Sequence, residues 1–155
     1  MNYVWYYETP IGRLGVAGTD TAVSHVLFAG SESLPGCELS ETPVIKRAAA
    51  ELLEYFDGKR TGFDFPLLLQ GTIFQNQVWE ALQTIPFGET RSYKDIAGQI
   101  GRPKAMRAVG MANHCNPLPI VIPCHRVVGA SGRLVGYAGG LAVKQFLLDL
   151  EKRHA

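Results

Sequence analysis

The chain is poor in cysteine: Cys37, Cys115 and Cys124 are the only three in 155 residues, and none stands in CxxC spacing. An odd, unpatterned count argues against a disulfide scaffold and fits a reducing compartment, so a cytoplasmic protein is expected. No apolar run approaches the roughly 18 residues of a membrane span, and no basic residue precedes Arg13, so neither a transmembrane segment nor a secretory leader is expected. Internal repeats and low-complexity tracts are also missing. What remains is ordinary globular material, 46% hydrophobic and 19% charged, at a length suited to one domain or two small ones.

Acidic and basic side chains nearly balance overall, 14 against 15, but they are unevenly spread. Residues 1–70 hold five basic and nine acidic side chains, a net of −4, which leaves +5 for the remainder of a chain whose total is +1. A basic second half is a possible footprint for a polyanion.

The order of elements changes at the same place. Tyr3–Tyr7, Arg13–Ala17 and Val23–Ala29 are aromatic and β-branched runs separated by turn residues, which predicts a small antiparallel meander. Gly30–Glu41 is Ser-, Gly- and Pro-rich and predicts a loop. Thr42-Pro43 is an N-cap with proline at the first helical position, predicting a helix to about Asp57, closed by Gly58. Thr61–Leu69 is expected to be extended. From Thr72-Ile73-Phe74-Gln75, a capping box, a helix is expected that ends by Pro86 and Gly88. Ser92-Tyr93-Lys94-Asp95 is a second box, opening a short helix that Gly101 closes, and Pro103 is expected to start the next one through Lys104, Arg107 and Met111.

Two short helices joined by a few residues containing glycine fit a helix-turn-helix, and equally a plain αα-hairpin. Composition favours the former. Ala105, Ala108, Gly110 and Ala112 would let a backbone approach a groove closely while Lys104 and Arg107 meet phosphates. Farther on, Ile120-Val121-Ile122 is expected to be a buried extended segment, Gly129–Gly132 a hairpin turn, and Leu141–Arg153 an amphipathic helix with Leu141, Phe146, Leu147 and Leu150 inward.

The strongest chemical signal is Cys124-His125-Arg126. A thiol attacks as thiolate, and an imidazole with a nearby cation lowers its pKa from about 8.5. Consecutive residues of an extended segment point to opposite sides, so Cys124 and His125 would need a turn or a bridging water to cooperate. The alternative is a lone cysteine acting as a small buried hydrophobe. A metal reading, with His114, Cys115, Cys124 and His125 as ligand pairs, matches no zinc-binding spacing. Cys37 and Cys115 read as non-catalytic.

Pro123-Cys124-His125-Arg126-Val127, preceded by Asn116-Pro117-Leu118-Pro119-Ile120-Val121-Ile122 and followed by Gly136-Tyr137-Ala138-Gly139-Gly140, resembles the O6-alkylguanine-DNA alkyltransferase (methylated-DNA–protein-cysteine methyltransferase) family. The resemblance extends upstream through Arg91-Ser92-Tyr93, Gly101-Arg102-Pro103 and Ala105-Met106-Arg107-Ala108-Val109-Gly110, and more loosely to Phe74-Gln75 and Val78-Trp79. It covers residues 72–151 strongly and the N-terminal part only in outline, through Thr9-Pro10-Ile11-Gly12 and the order of elements.

The resemblance implies an α/β (α+β) fold, with a small antiparallel-sheet, ribonuclease H-like region over residues 1–70. A winged helix-turn-helix alkyltransferase domain would follow over 71–155. It implies irreversible, single-turnover transfer of the alkyl group from O6-alkylguanine, and from O4-alkylthymine, in DNA to Cys124. His125 would act as base through a water, Glu151 would orient it, and Asn116 would brace the turn. Arg107 would replace the extruded nucleotide, while Tyr93 would rotate its phosphate and hydrogen-bond the base. Flipping is required because O6 lies on the stacked major-groove edge, where a thiol cannot line up behind the alkyl carbon of an intact duplex. Arg102, Lys104 and Ala108 would lie along the DNA. Tyr137 and Pro119 would wall the pocket, and the backbone of Cys124, Val127 and Ala138 would read the guanine edge. Ala138 stands where relatives often have serine, and Ile73 where they often have proline. No cofactor and no metal are expected, and the partner would be double-stranded DNA containing alkylated guanine, met by a monomer away from any membrane.

Three rivals differ in class. A lesion-binding module without chemistry lacks the cysteine that stands here. A promoter-binding alkylation sensor needs an additional cysteine-rich zinc domain. A cysteine hydrolase needs an oxyanion loop that is not evident.

Overall fold

The computed structural model describes residues 1–30 and 34–155. These fall into two compact units, Met1–Leu69 and Gln70–Ala155. Ser31–Ser33, within the loop expected over Gly30–Glu41, lie outside the described residues.

In the first unit β1 (Asn2–Thr9), β2 (Gly12–Gly18) and β3 (Val23–Leu27) form the antiparallel meander, in register Trp5 with Val16 and Val16 with Val26. The loop reading of Gly30–Glu41 needs one correction: Cys37–Leu39 is a strand, β4, pairing parallel with β1 at the sheet edge. Three residues are too few to show alternation, and a parallel partner is not announced by a tight turn. Thr61–Leu69 likewise forms no strand but is pinned at one point, where Val23 N–H donates to Pro66 O and Leu68 N–H to Val23 O.

The helix of this unit, α1 (Pro43–Phe56), starts as its sequence predicts. Thr42 Oγ1 accepts from Ile45 N–H and proline occupies the first turn. Ile45, Ala48, Leu52 and Tyr55 are fully or nearly fully buried, and the helix lies against β1 and β2. Glu51 is buried with them, and it survives there because Arg47, Arg60 and Asp64 N–H all reach its carboxylate.

The second unit opens with α2 (Ile73–Gln83), whose capping box is complete: Gln75 N–H donates to Thr72 Oγ1 and Thr72 N–H to Gln75 Oε1. The buried Trp79 on this helix donates its indole N–H to Ala112 O at 2.9 Å. The short strand β5 (Arg91–Ser92) leads directly into α3 (Tyr93–Gln99), which is capped reciprocally by Ser92 and Asp95. Gly101 at φ +76 turns the chain toward α4 (Met106–His114), completing a helix-turn-helix.

Here Pro103 does not start the helix. Arg102, Pro103 and Lys104 form the turn, and Ala105 N–H donates to Arg102 O before the helix begins. Ala112 faces the core with Val109 and Asn113, leaving Arg107 and Ala108 exposed.

After α4 the chain makes irregular turns instead of the extended segment expected over 120–122. Ile120 adopts φ +75, a conformation that a β-branched residue takes only when its surroundings force it. A 3-10 turn over Cys124–Arg126 runs into β6 (Val127–Val128), which pairs parallel with β5: Arg91 with Val127, Ser92 with Val128. The hairpin expected at Gly129–Gly132 is a closed turn, with Gly129 N–H donating to Arg133 O, and no strand follows it.

The last helix, α5 (Leu141–His154), directs Lys144, Leu147, Leu150 and Glu151 inward. Leu141 is exposed and Phe146 only half-buried, so two of the four expected inward positions are replaced by charged ones. Among the described residues no helix is long and apolar enough to cross a membrane.

Candidate active site

Cys124 lies at the start of the 3-10 turn, buried, with its N–H donating to Ile122 O at 2.7 Å. Asn116 holds the loop that leads there. Its Nδ2 donates to Ile122 O at 2.8 Å while its Oδ1 accepts from Leu118 N–H at 2.9 Å, clamping both sides of the strained Ile120.

His125 and Arg126, which follow on the turn, are buried and converge on Glu151 of α5. His125 Nε2 lies 2.6 Å from Glu151 Oε2, and Arg126 donates from Nε to Oε1 at 2.7 Å and from Nη2 to Oε2 at 3.0 Å. Arg126 Nη1 donates to Ile85 O and Gly88 N–H to Glu151 Oε1, so every strong donor near the carboxylate is engaged.

These contacts settle protonation. Burial raises the Glu151 carboxyl, but the hydrogen bonds from His125 and Arg126 carry it the other way, to about 2. It is therefore an anion, able only to accept, and His125 must carry its proton on Nε2. Burial also lowers the His125 pKa, opposed by Glu151, so the ring is neutral. Its Nδ1 is left as a bare lone pair, buried and without a hydrogen-bond partner among the described residues. A neutral ring with an unoccupied nitrogen can act as a base.

The thiol departs from the sequence reading. Burial pushes the Cys124 pKa up, opposed by the hydrogen bonds of Asn116 and Tyr137 and by the charge of Lys144. Arg126, expected to be the activating cation, is instead committed to Glu151, and Lys144 is the cation that acts on the sulfur. Lys144 is fully buried on α5, and its Nζ donates to Val127 O at 2.6 Å and Val135 O at 3.1 Å.

Tyr93, the first residue of α3, is delivered to the site by the β5–β6 pairing. Its hydroxyl donates to Val135 O at 3.4 Å, and burial raises its pKa, as does the Cys124 charge, while a hydrogen bond from Asn113 opposes both. Tyr93 also lines an open groove of about 470 Å³ together with Ser92, Lys94, Met106, Arg107 and Gly110. The groove thus meets the thiol's surroundings at Tyr93. Arg107 and Ala108 are exposed on α4, and Arg102 and Lys104 on the turn before it.

Among the expected pocket groups, Pro119 is buried, Tyr137 half-buried and Ala138 exposed. The Val127 backbone is already engaged: its N–H donates to Cys124 O and its carbonyl accepts from Lys144. Among the described residues no cluster of three or more His, Cys, Asp or Glu side chains is set to hold a metal ion.

Two site residues had gone unnoticed in the sequence, Lys144 and Asn113. Each left a signal: a polar residue at an inward position of an amphipathic helix, three before Leu147 and four after Val109 respectively.

Fold and site together define a helix-turn-helix protein with a buried cysteine set beside an oriented histidine–glutamate pair. Comparison with known proteins makes this specific. Residues 73–153 match the 6-O-methylguanine DNA methyltransferase DNA binding domain, and residues 2–69 match the ribonuclease-like domain of the same family. The chain belongs to the 6-O-methylguanine DNA methyltransferase family. It is 52% identical over 150 residues to the methylated-DNA–protein-cysteine methyltransferase of Mycolicibacterium paratuberculosis, covering 96% of this chain and 91% of that one. It is 45% identical over 159 residues to the constitutive enzyme of Bacillus subtilis, covering 98% and 96%. Among solved structures, the Mycobacterium tuberculosis OGT in complex with DNA superposes with a TM-score of 0.94 at 46% identity, covering 99% of this chain and 94% of that one.

Proposed function

We propose that the protein repairs DNA by direct reversal, with Cys124 as the alkyl acceptor, acting as a cytoplasmic monomer on double-stranded DNA that carries alkylated guanine. The observation that carries this reading is the buried thiol beside a neutral histidine whose Nδ1 is held open by Glu151. Cys124 Sγ attacks the alkyl carbon on O6 as the carbon–oxygen bond breaks, and guanine leaves with the electron pair. The thiol proton passes through a bridging water to His125 Nδ1. Tyr93 donates a hydrogen bond to the base as negative charge develops on it. The product is a thioether, which no thiol–disulfide exchange reverses, so each molecule acts once. O4-alkylthymine presents the same reacting atoms and is a second substrate.

The buried Cys124 thiol cannot line up behind an alkyl carbon on the major-groove edge of a stacked base, so the nucleotide is extruded. Arg107, exposed on α4 beside the groove that Tyr93 lines, enters from the minor groove and fills the gap, while Arg102, Lys104 and the small Ala108 follow the backbone. Tyr137, Pro119, Ala138 and Val127 enclose the flipped base, and Asn116 keeps the Cys124 turn in place.

The test is direct. Incubation with duplex bearing one O6-methylguanine adds a single CH2 to the Cys124 peptide, saturating at one per protein with guanine restored. An unmodified protein that retains the duplex would replace this reading with lesion binding without repair. Arg107→Ala is expected to slow duplex repair by about 10- to 100-fold, the equivalent of the few kcal/mol of unstacking that Arg107 replaces, and to leave reaction with the free alkylated base nearly unchanged. Equal losses on both substrates would remove Arg107 from the flipping step.

A further inference from the structure

The groove beside Tyr93 is about 470 Å³ in volume, and its walls are almost wholly carbon, although the unit that bears it carries a net charge of +5. The hydroxyls along it are engaged elsewhere: Ser92 Oγ accepts from Asp95 N–H at 3.0 Å, and the Tyr93 hydroxyl donates to Val135 O. Met106, the first residue of α4, lines the groove and is 47% exposed. A single exposed apolar side chain is ordinary, but this one is set in a concavity beside Arg107.

Gly110, one turn farther along α4, lines the same groove. Among the described residues a Cβ placed there would meet only the Tyr93 ring, at 3.9 Å, which is ordinary contact. Alanine would therefore fit and would favour the helix. The glycine leaves open a space that the fold does not require.

What fills the space follows from Arg107 and Tyr93, which both line it. In the repair reading Arg107 stands where the extruded base was, and Tyr93 meets that base where it arrives. The part of the nucleotide that lies between those positions is its sugar. The attached phosphate is an anion, and Lys94 is the other cation of the lining. A deoxyribose presents only carbon and hydrogen at C2′, whereas a ribose presents a hydroxyl that must both donate and accept. Met106, Gly110 and Ala130 match the first and give the second no partner.

We propose that this groove seats the deoxyribose of the extruded nucleotide, and that Met106 and Gly110 make it select DNA over RNA at the damaged position. The inference rests on the repair reading above. Its test is single-turnover methyl transfer from three duplexes that differ only in the sugar of the O6-methylguanine nucleotide: deoxyribose, ribose and 2′-fluoro-deoxyribose. The fluorine keeps a ribose-like pucker but donates no hydrogen bond.

The ribose substrate is expected to react about 10- to 100-fold more slowly than deoxyribose, the scale on which an apolar site rejects an added hydroxyl. The fluoro substrate is expected to stay within about threefold of deoxyribose on the same grounds. Equal rates on ribose and deoxyribose would overturn the inference. So would a fluoro substrate as slow as ribose, because sugar pucker would then be what discriminates. Met106→Gln, of similar length, offers the hydroxyl a partner and is expected to narrow the deoxyribose-to-ribose ratio by about fivefold or more, with the melting temperature unchanged. An unaltered ratio would remove Met106 from the seat. Gly110→Ala is expected to melt about 2–4 °C above the parent and yet to repair the deoxyribose duplex about tenfold more slowly, with reaction of free O6-methylguanine unchanged. Duplex repair at the parental rate by this variant would show that nothing is seated against the glycine. No transfer at all from the deoxyribose duplex would overturn the repair reading itself, a result distinct from each of these.

Discussion

Cys124→Ser is expected to bind alkylated duplex like the parent and to transfer no methyl group, a loss of more than about three orders of magnitude. A hydroxyl occupies nearly the same volume, so the turn held by Asn116 and by the Cys124 N–H to Ile122 O bond is retained. The nucleophile is not. A serine hydroxyl is far harder to ionise than a thiol and would meet only the neutral His125. Intact mass after prolonged incubation with O6-methylguanine duplex decides the matter, with the binding isotherm as the control for folding. A methylated serine variant, or transfer to Cys37 or Cys115 in the parent, would refute Cys124 as acceptor.

Glu151→Gln is expected to fail in two ways at once. Removing one charge from the buried cluster leaves Arg126 uncompensated, a change that costs about 3–5 kcal/mol and lowers the melting temperature by roughly 10 °C or more. The neutral amide also no longer dictates which nitrogen of His125 carries the proton, so repair is expected to slow by about two to four orders of magnitude.

The pH dependence identifies the cause. A carboxylate whose folded pKa lies below its unfolded one stabilises the protein above the unfolded value and ceases to do so as pH falls through the folded one. For Glu151 the window runs from 4.5 down to about 2. The gap in melting temperature between the parent and Glu151→Gln should therefore be widest above that window and close as pH falls through it. A gap that stays constant down to pH 2 would mean that the loss comes from packing instead of charge.

Much of this was legible in advance because it is local. Thr42-Pro43, Thr72 with Gln75 and Ser92 with Asp95 each announce a helix start through bonds formed within three residues, and all three caps are present. Cys124, His125 and Arg126 were conspicuous for the same reason. What escaped notice depends on distant pairing. Two residues of β5 meeting two of β6 bring Tyr93 beside Cys124, and nothing in Arg91-Ser92 or Val127-Val128 names the partner. Arg126 looked like the cation for the thiol because it is two residues away, yet α5 supplies both its true partner, Glu151, and the cation that replaces it, Lys144. Glu151 itself was picked out by resemblance and not by spacing. The start of α4 was set too early because Pro103 is a good first residue for a helix, whereas here it belongs to the turn that Arg102 and Ala105 close.

The burial of Cys124 has one more consequence. A reagent consumed by its first reaction has no second chance, so its shelf life in the cell matters as much as its speed. Small electrophiles and oxidants attack thiolates that they can reach, and Cys124 is 4% exposed with its proton held on by burial. Cys115 is open on the surface and is the thiol that such molecules meet first. The sulfur that matters is thereby kept unspent, out of reach until a base is delivered to it.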